Sequence, residues 1–140
     1  MNHDLKKAIV KAAIGLWKTF PIMIGTILLI SLISVSIPKS FYSSVFSNNL
    51  IIDPIIASLV GSISAGNSVS SYIIGGELLN QGISLLAVTA FLVAWVTVGV
   101  IQLPAESSIL GKRFAILRNI SAFILAILVS IVTILVYNVI

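Results

Sequence analysis

Apolar residues fall into four long blocks separated by short polar or proline-bearing interruptions. The first, Phe20 to Ile37, is long enough for a helix of ~27 Å. It ends at Pro38-Lys39, where a missing N–H and a charge both stop a helix. Gly82 to Leu103 runs without a charge up to Pro104, and Asn119 to Ile140 stays apolar almost throughout. These blocks predict three transmembrane helices, over 20–37, 82–103 and 119–140.

The remaining block, Asp53 to Asn80, is interrupted by Gly61-Ser62-Ile63-Ser64-Ala65-Gly66-Asn67-Ser68 and again by Gly75-Gly76-Glu77. Each half has only about 10–13 residues, which predicts a re-entrant helical hairpin over 53–80. Asp53-Pro54 reads as a helix start, with an acceptor side chain at N-cap and proline at N1. The first half should end near Ser64, and the second should begin at Asn67 or Ser68, after Gly66 turns the backbone.

Ahead of the first block, residues 1–19 pattern as an amphipathic helix. Lys7, Lys11 and Lys18 share one side, while Leu5, Ile9, Ala13, Leu16, Trp17 and Phe20 cover the other. That is the pattern of a helix lying in the headgroup plane, as an anchor or as a gating element.

Composition turns the pattern into a class. Of 140 residues, 59% are hydrophobic and only 9% charged, and mean hydropathy is +1.19. A soluble domain carries about 25% charged residues. A soluble monomer and a disordered chain are both excluded. The expected fold is an all-α integral membrane protein, a single membrane domain over 1–140 with an interfacial helix, three transmembrane helices and the hairpin.

The net charge of +4 does not point to nucleic acid, because the basic residues flank apolar blocks. Lys6, Lys7, Lys11 and Lys18 precede the first, and Lys112, Arg113 and Arg118 lie in the segment 104–118. With the N-terminus cytoplasmic, a hairpin over 53–80 puts seven of the eight Lys/Arg inside, whereas a full crossing puts only four there. The hairpin topology is therefore expected, with the C-terminus outside. Ser34-Val35-Ser36 mimics a signal-peptidase site, but the basic region and the apolar run are both too long for a cleaved signal.

Catalysis finds little to work with. The chain has no cysteine, one histidine (His3), and two aspartates, Asp4 and Asp53, that the topology puts on opposite sides. Metal-ligand and phosphate-loop spacings are absent, so neither an enzyme nor a cofactor is expected.

The hairpin tip carries the strongest candidate chemistry. Non-helical backbone inside a membrane must be buried in protein or line a watery cavity. Opposed half-helix ends can hold a polar or anionic solute near the midplane, which nominates Ser64, Gly66, Asn67, Ser68 and Ser71. The same glycines and serines would equally let the hairpin pack tightly on its neighbours. Glu77 would lie near the outer interface, in a pairing or a proton-coupling role. Trp95, in mid-span, should face protein or the pathway. Glu106 suits the first turn of a helix, where its charge meets the positive dipole end. Lys112, Arg113 and Arg118 set topology, or grip lipid phosphate or an anionic solute. Ala122, Ala126, Ser130, Thr133 and Tyr137 form a packing ridge.

Two stretches carry a resemblance: residues 61–67 with Ser71-Tyr72-Ile73-Ile74-Gly75-Gly76-Glu77-Leu78-Leu79, and Ala94-Trp95-Val96-Thr97-Val98-Gly99-Val100-Ile101-Gln102-Leu103-Pro104-Ala105-Glu106 with Leu110-Gly111-Lys112-Arg113-Phe114-Ala115. From Pro38 to Asn119 the chain resembles short prokaryotic members of the predicted-permease family that includes the arsenical-efflux permeases. The resemblance implies transport across a prokaryotic cell membrane, with this chain corresponding to one half of longer members. Without cysteine, thiol-based handling of arsenicals does not carry over. Three spans and a hairpin cannot both enclose a path and shield broken backbone from lipid. A parallel homo-oligomer, or pairing with a paralogous half, is expected. A passive channel and a non-transporting assembly subunit are the alternatives.

Overall fold

The computed structural model describes residues 2–36, 39–64 and 68–139. Among them are seven helices and no strand: α1 (Asn2–Ser36), α2 (Lys39–Val45), α3 (Ile52–Ile63), α4 (Ser68–Asn80), α5 (Leu85–Thr97), α6 (Leu103–Leu110) and α7 (Lys112–Tyr137). The all-α class is as expected. The chain divides into two compact units, Met1–Ser36 and Ile37–Ile140.

In the first unit, α1 is one helix where the sequence predicted an interfacial piece over 1–19 and a separate span over 20–37. It runs through Pro21. Proline removes one i→i−4 bond, here to the Trp17 carbonyl, and long apolar helices tolerate that loss. Trp17 and Phe20 stack with centroids 6.5 Å apart, on an exposed surface that includes Leu5, Ile9 and Leu16.

In the second unit, α3 starts differently from its Asp-Pro signature. The Asn49 side chain accepts the N–H groups of Ile51 and Ile52, at 3.0 and 3.3 Å, and does the work of the cap. Asp53 lies inside the helix, where it is 1% exposed, and its Oδ1 accepts the Ser47 N–H at 3.2 Å. The cap moved because Asn49 can fold back on the first turn while Asp53 is turned into the protein.

α5 is the centre of this unit. α3, α4 and α7 all pack on it, and α3 and α4 make no backbone contact with each other. Ala87, Ala90 and Ala94 of α5 are fully buried, and α3 meets α5 with Ala57, Ser58, Gly61 and Ser62, also buried. Small side chains let two helix backbones come close. At Gly61 a Cβ would stand 2.5 Å from the Phe91 carbonyl oxygen, so only glycine fits. α3 therefore runs parallel to α5, with its end against Phe91–Trp95. α4 runs the opposite way, with Gly75 against Val88 and Leu92. One core gathers Ala57, Ile83, Val88 and Phe91, and a second gathers Ala94, Val98 and Ala126.

Among the described residues one helix, α7, is long and apolar enough to cross a membrane. The expected span over 82–103 is helical only from Leu85 to Thr97, ~20 Å of the ~30 Å a bilayer core requires. Val96-Thr97-Val98-Gly99 is a poor helix former. The Gly99 N–H is taken at 2.8 Å by the side chain of Asn119, which ends the ladder. Pro104, expected to terminate that span, sits instead in the first turn of α6, where its missing donor is harmless. α7 begins at Lys112 rather than Asn119, after Gly111, whose φ of 90° reverses the chain.

Candidate functional site

Two chain breaks meet at one end of the second unit. α3 stops at Ile63, where the Ser64 N–H bonds the Gly61 carbonyl at 3.1 Å. α5 stops at Thr97, and the parallel packing at Gly61 brings both ends together. Between them is a cavity of about 140 Å³ lined by Ser62, Ser64, Trp95, Thr97, Gln102 and Arg118. Its wall is mostly polar, unlike the apolar hollow between α2, α3 and α5. The volume equals that of roughly four or five liquid waters.

The hydroxyl protons here are already committed. Ser62, Ser64 and Thr97 donate to the carbonyls of Leu59, Val60 and Val93, each at 2.7 Å. Their lone pairs remain as acceptors, beside the carbonyl ends of α3 and α5, which carry negative partial charge. Arg118 and Gln102 supply donors on the facing wall. The set suits a polar or zwitterionic solute, or an anion held by Arg118.

Asn119 holds this junction together. It is 5% exposed; Oδ1 accepts from Gly99, and Nδ2 donates to the Ala115 carbonyl at 2.9 Å and to Glu106 Oε2 at 3.2 Å. The other Glu106 oxygen pairs with Arg118. Glu106 is in the first turn of α6, as expected, but its carboxylate reaches across to α7 rather than capping its own helix.

Of the residues nominated from sequence, Ser64 and Trp95 line the cavity. Gly66 and Asn67 lie outside the described residues. Ser68 is exposed at the start of α4. Ser71 is fully buried, and its hydroxyl donates to the Ser68 carbonyl at 2.7 Å, so it packs rather than lines. Glu77 is half-buried one turn before the α4–α5 connection, at the far end of α5 from the cavity, and accepts from Gln81 Nε2 at 2.7 Å. Trp95 packs edge-to-face on Phe91 with centroids 5.4 Å apart. Its Nε1 is buried with no acceptor among the described residues. Of the α7 ridge, Ala126 and Ser130 are buried, whereas Thr133 and Tyr137 are exposed. No group of metal-binding side chains occurs among the described residues.

Sequence reasoning missed Asn119, Thr97 and Gln102. The available signal was a lone carboxamide on the small-residue face of α7, in register with Ala115, Ala122 and Ala126. A family profile described as Predicted permease (ArsP_1) matches residues 5–139. No curated protein and no solved structure matches the chain.

Proposed function

The chain belongs to the predicted-permease family and is thus a membrane protein of the transporter class; from that premise we propose that it is a permease subunit moving a small polar or anionic solute. The observation that carries the reading is the polar cavity where the α3 and α5 ends meet. Ser64, Gly66, Asn67 and Ser68 at the hairpin tip contact the solute, joined by Thr97 and Gln102. Ser71 supports the tip by packing.

The subunit is multi-pass in the cell membrane with its N-terminus cytoplasmic. α3 and α4 form the re-entrant hairpin, entering and leaving by the outer face. From Arg118 to Tyr137 α7 rises ~28 Å, close to a bilayer core of ~30 Å. The cavity borders Arg118, so it lies toward the cytoplasmic side rather than at the midplane. A parallel homo-oligomer, or a paralogous half, completes the enclosure, because one subunit alone cannot both enclose a path and shield from lipid the non-helical backbone beyond the ends of α3 and α5. Glu77, far from the cavity, pairs at the outer interface.

Two measurements test this. Vesicles with the reconstituted chain are offered labelled phosphate, sulfate, acetate or glycerol. At least one should enter faster than into protein-free vesicles, and joint replacement Ser64→Ala and Asn67→Ala should slow it about tenfold while assembly is intact. Unchanged uptake would remove the tip from the path. Single cysteines at positions 48, 67, 80 and 109 of this cysteine-free chain report topology. Positions 48 and 80 should label from one side and 109 from the other.

A further inference from the structure

Arg118 borders a second space. Beside the polar cavity, an apolar groove of about 380 Å³ runs between α5 and α7, lined by Val93, Val96, Ala122, Leu125, Ala126 and Val129. Arg118, Val96 and Thr97 belong to the walls of both. One cation therefore stands where a polar recess and an apolar furrow join.

The dimensions say what fits. From Arg118 to Val129 the groove follows α7 for ~16 Å, about half of a ~30 Å hydrocarbon core, which is the depth of one leaflet. Its mouth lies at the basic end of α7, where Lys112 and Arg113 are exposed as well. Basic clusters at the cytoplasmic end of membrane helices draw anionic headgroups, and a guanidinium matches a phosphate's oxygens two at a time. Leu125 and Val129 leave the furrow open, about half exposed.

We propose that this groove is a binding site for one anionic phospholipid, its phosphate on Arg118 and one acyl chain laid between α5 and α7. Glu106 competes for the same guanidinium, so the lipid and the α6 carboxylate exchange on Arg118. The site does not depend on the transport reading: it needs only α5, α7 and a membrane.

The two tryptophans, Trp17 and Trp95, supply the probe. With Trp17→Phe, emission comes from Trp95, which lines the polar cavity that shares Arg118, Val96 and Thr97 with the groove. The full chain goes into nanodiscs of phosphatidylcholine in which a fixed fraction is replaced by phosphatidylglycerol, one of the two lipids carrying brominated acyl chains. Brominated phosphatidylglycerol should quench with about fivefold preference over brominated phosphatidylcholine. Arg118→Gln should abolish the preference. Glu106→Gln, which leaves Arg118 in place and unopposed, should raise it, and Ala122→Phe should lower quenching by filling the groove. Equal quenching by the two lipids in the parent chain would overturn the proposal. So would reversal by millimolar inorganic phosphate, which would mean a free-anion site. Absence of quenching by either lipid would show the furrow covered by protein, such as a second copy, and would overturn it too. Uptake by reconstituted vesicles is a separate readout, so either reading can fail alone.

Discussion

Residues 82–103 and 119–140 look alike as apolar runs, yet the protein treats them in opposite ways. α7 continues unbroken for 26 residues; α5 ends after 13. The difference follows from their surroundings. α7 buries a narrow line, Ala115, Asn119, Ala126 and Ser130, and exposes most of its large apolar side chains. α5 is enclosed by α3, α4 and α7 and buries Leu86, Ala87, Val88, Ala90, Phe91 and Ala94. A helix facing lipid has to keep its backbone bonds internal, while one wrapped in protein can break where a side chain takes over the freed group. Asn119 is that side chain, and it comes from α7. The continuous helix thus supplies the means by which its neighbour ends.

Several substitutions would break or sharpen the contrast. The largest effect is expected at the α3–α5 contact. Gly61→Leu forces atoms into the Phe91 carbonyl, a backbone group that cannot move aside, and should cost about 3 kcal/mol or more. Thermal unfolding in detergent measures it; Gly76→Leu, facing open space on α4, is the control and should stay within about 0.5 kcal/mol. If the two behave alike, α5 is not tightly enclosed. Next comes Asn119→Ala, which leaves the Gly99 N–H without its acceptor. A loss of about 1–3 kcal/mol is expected in the same assay, whereas Ser121→Ala on the exposed side should be nearly silent. Equal small losses would mean that the α5 break holds without α7. Glu106→Gln should be weakest. The pair with Arg118 is partly exposed, so after solvent screening about 0.2–1 kcal/mol is at stake, and less in high salt.

The sequence disclosed local signals well. The glycine-serine interruption after Ile63 and the restart at Ser68 fall where residue types alone put them, because glycine, serine and asparagine act within a few residues of themselves. The inward-turning Trp95 was legible for the same reason: a large amphipathic ring rarely faces mid-membrane lipid. The end of α5 was not. Val96 to Gly99 only weakens the helix within a run that carries no charge, and the group that takes the freed Gly99 N–H comes from a residue twenty positions away. Asp53 shows the same limit on a smaller scale, since a good capping signature gave way to Asn49 four residues upstream. The cavity has the same origin. Ser64 could be named from its own neighbourhood, while Thr97, Gln102 and Arg118 join it through tertiary packing alone.

α6 has no buried residue and joins α7 through Gly111, at which an added Cβ would meet nothing within 4 Å. Little apolar surface would be uncovered if this short segment came undone by itself, and the seam of small residues between α3 and α5 would not notice. Its amide protons should therefore trade with deuterium long before those of α5, with the Glu106 carboxylate setting how much earlier.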